Sequence, residues 1–189
     1  DPEGKKLAIL KYDGDLLNLY IYDRLSGKLK LQKLKTDLAV SSGSNLLWTP
    51  DGKEILLSFR AEGWFEKADS MYQEATVGPV TVYDSEQPFL KWDAIGNQNS
   101  LSTQALVDLK TLKVTELLPE GNYNGLRFSK GNRQLIYTTN TPLKTTYDRN
   151  GGNEYEIARL SLDNPEEKTV IREKSKKYPR LSWNEDNTL

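Results

Sequence analysis

The chain contains no histidine and no cysteine. Histidine is the usual general base beside a serine nucleophile and the commonest transition-metal ligand, so neither a Ser-His-Asp triad nor a His-based zinc site can be assembled from these residues alone. The lack of cysteine removes disulfides, thiolate nucleophiles and cysteine metal sites. It fits cytoplasm and periplasm alike; a periplasmic or secreted address is the one we favour. Charge of one sign is also missing. With 26 Lys+Arg against 27 Asp+Glu the net charge is −1, which gives no field favouring nucleic acid or an anionic membrane surface. No stretch approaches the roughly 20 apolar residues needed to span a bilayer, so membrane insertion is not expected. Carboxylate chemistry of the glycosidase kind is the one catalytic class these absences leave open.

What is present is repetition. Trp48-Thr49-Pro50-Asp51-Gly52-Lys53-Glu54-Ile55-Leu56-Leu57 places an aromatic, a polar turn, a basic residue and an apolar run in order. Phe128-Ser129-Lys130-Gly131-Asn132-Arg133-Gln134-Leu135-Ile136-Tyr137 repeats it, and Trp183-Asn184-Glu185-Asp186-Asn187 starts it again. Pro2-Glu3-Gly4-Lys5-Lys6-Leu7 fits the same frame without the aromatic. Each copy reads as a hairpin. Pro50 presets φ for a turn, Asp51-Gly52 tolerates positive φ, and the flanking runs have strand length. The Trp or Phe before each turn is expected on a first strand, packed between neighbouring sheets.

A second pattern follows each hairpin. Leu19–Asp23 leads through a short turn into Lys28–Leu31, and Ala105–Asp108 leads into Lys113–Leu117, with the same Asp-to-Lys spacing. Residues 155–160 and 168–171 form a looser third copy. Together the two patterns give four strands per unit. Four-stranded antiparallel units recurring at about 40–50 residues are the signature of a β-propeller. The expected fold is therefore all-β: about three four-stranded blades of a larger propeller, with one long insertion. The expected division is a blade remainder over 1–36, a blade over 37–118 interrupted at 60–102, a blade over 119–177 interrupted at 141–153, and the start of a further blade over 178–189. Propellers typically close with about 4–8 blades, so we expect a fragment, with association of copies as the alternative.

The segment Leu47–Leu57 resembles the blade hairpins of peptidase propellers and of TolB-like propellers. Val77-Gly78-Pro79-Val80-Thr81-Val82, a polar insertion, the strand Ser102–Leu109 and then Lys113–Leu117 resemble one middle blade of bacterial members of the prolyl oligopeptidase family. That resemblance implies a propeller followed by an α/β-hydrolase domain carrying Ser, Asp and His, with the serine on a Gly-x-Ser-x-Gly elbow. This sequence has no such elbow and no histidine, so no catalytic residue is carried over. No cofactor and no metal ligand is assigned either. The resemblance implies a non-catalytic segment that gates peptide access and packs on a hydrolase domain of the same parent chain. The paired glutamate that holds the substrate amine in the dipeptidyl-peptidase branch has no counterpart, because Glu166-Glu167 falls in a turn after Pro165.

The insertion from Arg60 to Ser102 is the most distinctive part. Residues 62–74 have the composition of a short helix, with Phe65, Ala68, Met71 and Tyr72 on one face. Trp64, Phe65, Tyr72 and Trp92 are the candidate residues for substrate access or interdomain contact, since aromatic-rich loops on a rigid scaffold often bind. The alternative is that they cap the blade they interrupt. Asp148-Arg149-Asn150-Gly151 lacks EF-hand spacing and reads as a hairpin tip. Lys28, Lys30, Lys33 and Lys35 read as the solvated face of one outer strand, where lysine discourages strand addition. Asp13, Asp15 and Asp23 are acids at turns. Two other functions stand beside the peptidase segment. One is a TolB-like module binding a protein or peptide outside any enzyme. The other is a carbohydrate-active propeller, disfavoured because the first strands offer no paired carboxylates.

Overall fold

A computed structural model describes residues 1–78, 86–129, 133–144 and 151–179. The Gly-Pro-Val segment beyond Gly78, the Gly131-Asn132 turn, the 145–150 tip and the repeat at Trp183 lie outside the described residues.

Alternation of apolar residues makes the strands, and the turns between them decide how they pair. Sheet 1 is β1 (Lys6–Asp13), β2 (Leu16–Asp23) and β3 (Lys28–Leu31), in that order. Sheet 2 is built on β6 (Glu54–Arg60), β7 (Ser102–Asp108) and β8 (Val114–Gly121), with β4 (Ala39–Val40) and β5 (Leu47–Trp48) both pairing with β6 along its free side. Sheet 3 is β9 (Tyr123–Phe128), β10 (Gln134–Pro142), β11 (Asn153–Ser161) and β12 (Lys168–Ser175). Every ladder between these strands is antiparallel. The chain enters a sheet at one edge, crosses it strand by strand and leaves at the other, which is blade topology. The fold is an all-β run of propeller blades.

Sheet 3 has the four strands of the expected unit. Sheet 1 shows three strands. The first strand of sheet 2 is split into β4 and β5, because Ser41–Leu46 loops away between them; Ser44 Oγ accepts the Ser58 amide at 2.7 Å. The lysine-bearing strand ends at Leu31, so Lys33 and Lys35 lie on the crossover to β4 rather than on an outer strand. Gln32 ends it by turning inward: it is buried, and its side chain donates to the Lys30 carbonyl.

Two apolar seams hold the sheets face to face. Because successive strand residues point to opposite faces, Ile55, Leu57 and Phe59 of β6 join Ala105 and Val107 of β7 on one side, against Leu19 of β2. Leu56 and Leu106 point the other way, into a seam with Leu117 and Leu118 of β8 and with Leu135, Tyr137, Ala158 and Leu160 of sheet 3. Each fully buried side chain of this size is worth about 1.5–3 kcal/mol. Trp48 packs on the first seam and Phe128 on the second, so these two repeat aromatics sit between sheets as their position in the motif implies.

The two turn types recur at atomic detail. In the Trp48 repeat, Thr49 Oγ1 donates to Asp51 at 2.7 Å and accepts the Glu54 amide at 3.1 Å, while Gly52 takes φ 67°. In the second pattern Asp23 accepts the amide and hydroxyl of Ser26 at 2.8 and 2.9 Å, and Gly27 follows at φ 66°. Asp108 does the same with Thr111 at 2.6 and 2.9 Å, and Leu112 follows at φ 60°. These local bonds hold the Asp23 and Asp108 carboxyls below their ordinary pKa. Sheets 2 and 3 are also clamped by charge. Arg133 donates to Glu54 at 2.6 Å, to Asp51 at 2.8 Å and to Asp163 at 3.0 Å.

The left-handed turn position gives a direct test. A Cβ at Gly27 meets nothing within 4 Å, so Gly27→Ala probes backbone conformation alone. It should lower stability to urea by about 1 kcal/mol. Leu112→Gly, which relieves the same strain in the sister turn, should not lower it.

Candidate functional site

The insertion leaves sheet 2 at Arg60 and returns at Ser102. Ala61-Glu62-Gly63 turns the chain, with Gly63 at φ 71° heading α1 (Trp64–Thr76). This stretch is rich in Glu, Lys, Ala, Met and Gln and has no proline, so it forms a helix readily. A second helix, α2 (Lys91–Ser100), completes the insertion. The stripe of α1 that turns inward is Trp64, Ala68, Met71 and Ala75, at helical spacing. This corrects the expected face. Ala68 and Met71 belong to it, but Phe65 and Tyr72 are on the outside, 58% and 53% exposed. The reason is that Trp64 anchors the start of the helix: its Nε1–H donates to the Gln98 carbonyl of α2 at 3.0 Å.

Arg60 is the pivot. Its Nη1 donates to the backbone carbonyls of Asn99 (3.0 Å) and Leu101, so the guanidinium ties the end of β6 to the end of α2. The same guanidinium lies 4.0 Å over the Trp64 ring, a cation–π contact. Burial lowers its pKa from the ordinary arginine value, with the charge of Glu120 acting against that shift. Among the described residues no carboxylate forms an ion pair with it.

Arg60, Trp64 and Phe65 line one side of a cavity of about 690 Å³. The rest of the lining comes from the start of β2, from Leu16 to Leu19, from Leu31–Leu34 and Thr36–Leu38 of the crossover, and from β4 with Ser41 and Ser42. The lining is mostly apolar, with Asp15, Lys33 and Asp37 as its other charged members. Its size is that of a site for a small molecule or a few peptide residues.

Of the four aromatic candidates, the structure brings Trp64 and Phe65 together, ring to ring at 5.1 Å, on this cavity. Tyr72 and Trp92 form a separate edge-to-face pair at 6.0 Å between the two helices. Trp92 is 55% exposed and borders a smaller cavity of about 270 Å³ against Pro142 and Leu143. Sequence reasoning missed Arg60 and α2. The signal for Arg60 was its place: a lone guanidinium closing the apolar run Ile55–Phe59 at the mouth of the insertion. Of the acids at turns, Asp23 is held by its own turn, Asp15 lines the cavity, and Asp13 is engaged by strand residues. Asp13 accepts from the Tyr20 hydroxyl at 2.6 Å and from Lys11 at 3.0 Å. Among the described residues no three His, Cys, Asp or Glu side chains gather as metal ligands, and no helix is long and apolar enough to cross a membrane. Since Trp64 bonds both Arg60 and α2, Trp64→Ala should speed amide hydrogen exchange across 64–100 while leaving the protection of β6 and β7 within about twofold.

No family model and no curated protein matches the chain. Solved structures do. An acylaminoacyl peptidase from Pyrococcus horikoshii is similar at 12% identity and a TM-score of 0.55, over 93% of this chain and 24% of its own. An oligogalacturonate lyase in complex with manganese is similar at 15% identity and 0.53, over 94% of this chain and 39% of its own. A TolB structure from Agrobacterium tumefaciens follows at 10% identity and 0.48, over 89% and 46%. The chain thus spans less than half the length of each. At these identities the likeness is one of fold, and the fold is that of a propeller module.

Proposed function

We propose that the chain is the non-catalytic propeller segment of a serine peptidase, gating peptide access and packing on a separate α/β-hydrolase domain. Three things support this reading. The sequence lacks the histidine such chemistry needs, so the reacting groups must come from elsewhere. The blade fold is shared with a peptidase chain of which these residues cover 24%. The observation that carries most is the helical insertion itself. It leaves sheet 2 with Phe65, Tyr72 and Trp92 more than half exposed and with Trp64 and Phe65 on the cavity of about 690 Å³. Uncovered aromatics on a rigid scaffold are a contact surface in search of a partner.

The test uses the protein from its full reading frame. It should hydrolyse short peptides and spare folded proteins. The double variant Trp64→Ala/Phe65→Ala should raise KM for peptides while keeping kcat within about twofold, as expected for a binding wall remote from the reacting atoms. Absence of peptidase activity in the intact protein would sink this reading. A stoichiometric complex with another protein, again without hydrolysis, would favour the TolB-like binding module instead.

A further inference from the structure

The geometry points to the Arg60 cavity as a carboxylate-reading peptide site, which takes the C-terminal end of a short, extended peptide with an apolar last residue. The inference rests on the peptide reading above and adds which end of the peptide is held, and by what.

Three observations converge on it. The first is the state of the guanidinium. Nη1 is engaged by the two backbone carbonyls, and the ring of Trp64 covers one face. Nε–H and Nη2–H have no partner among the described residues. Those two N–H groups are the side-on fork of arginine, whose spacing matches the two oxygens of a carboxylate. The carbonyls and the indole fix the plane of that fork before any ligand arrives, which lowers the ordering cost of binding. Arginine keeps its charge at ordinary pH; the charge of Glu120 acts on it without forming an ion pair, so the fork itself is left for a ligand.

The second observation is the strand edge. β4 pairs with β6 on one side and forms the edge of sheet 2 on the other, and Ala39 to Ser42 line the cavity. An exposed strand edge offers N–H and C=O groups that an extended peptide can pair with, the usual route by which sheets capture peptides. The third is the lining. Leu16, Leu38, Val40 and Phe65 line the same cavity as Arg60 and supply its apolar surface, with Asp15, Lys33 and Asp37 as the other charged members. A free carboxylate flanked by an apolar side chain, on an extended backbone, satisfies all three features. A volume of about 690 Å³ holds only a few residues, which favours a chain end over a long internal segment.

Isothermal titration of the full chain with three tripeptides tests this: Ala-Ala-Leu as the free acid, the same peptide as its C-terminal amide, and an N-acetylated Ala-Glu-Leu amide carrying its carboxylate on a side chain. The free acid should bind at least about tenfold more tightly than either amide. Arg60→Gln should remove that preference, and Arg60→Lys, which keeps the charge and loses the fork, should reduce it severalfold. The comparison of acid with amide on the unaltered protein needs no variant, so a folding defect in Arg60→Gln cannot rescue the idea. Equal binding of acid and amide would overturn the carboxylate assignment and leave the peptide reading standing. Tighter binding of the Glu side-chain peptide would overturn the chain-end assignment. No binding of any of the three up to millimolar concentration would overturn both the inference and a peptide role for this cavity.

Discussion

The structure depends on β6 and β7 being buried on both faces at once. A strand has two faces and a period of two, so a sheet sandwiched between neighbours must carry apolar residues at every position. Ile55, Leu56, Leu57 and Phe59 of β6 and Ala105 to Val107 of β7 do so, the buried Ser58 being satisfied by donating to Gln104 Oε1 at 3.0 Å, and the register that pairs Leu56 with Leu106 also pairs Ile55 with Val107. A slip of one residue would send the Leu19 seam to the sheet 3 side and the reverse. The central blade is thereby locked between its neighbours, and the Arg133 clamp to Asp51 and Glu54 pins the rim of the second seam.

That rigidity is what allows the insertion to carry function. A hairpin whose strands are buried on both faces can tolerate some forty residues in its connection without losing register, because loop length costs entropy only logarithmically. The insertion then adds structure of its own. Two helices, held together by Trp64 on Gln98 and to the blade by Arg60, set an arginine fork and two aromatic rings beside the free edge of β4. The split of the first strand matters here as well, since the loop over residues 41–46 brings Ser41 and Ser42 to the cavity lining.

The blades were legible in the sequence because their cause is local and repeated. Proline, Asp-Gly and the five-residue Asp-to-Lys spacing each dictate a turn, and strand length follows from what lies between. Trp48 and Phe128, the aromatics before two of the turns, took their expected places. What escaped reading has the opposite character. The break between β4 and β5 is accompanied by Ser44 of the intervening loop accepting the Ser58 amide of β6, a contact 14 residues apart in the chain. The inner stripe of α1 begins at Trp64 because an indole finds a carbonyl 34 residues away. Helix α2 has Gly96 and several asparagines, poor local helix formers, and is held by burial of Ile95 and Gln98 against the rest. Arg60, the last residue of β6, gains its role only from two backbone carbonyls about forty residues away and the ring of Trp64. The candidate site is a tertiary product, whereas the scaffold under it is nearly a local one.

A double-mutant cycle in urea denaturation tests the two-faced central sheet most directly. Leu56 and Leu135 share one seam, and Ile55 points into the other. Leu56→Ala and Leu135→Ala should therefore couple by about 0.5 kcal/mol or more, while Ile55→Ala and Leu135→Ala should add within about 0.3 kcal/mol. Coupling of Leu135 to Ile55 as strong as to Leu56 would contradict the stacking of blades on which the whole account stands.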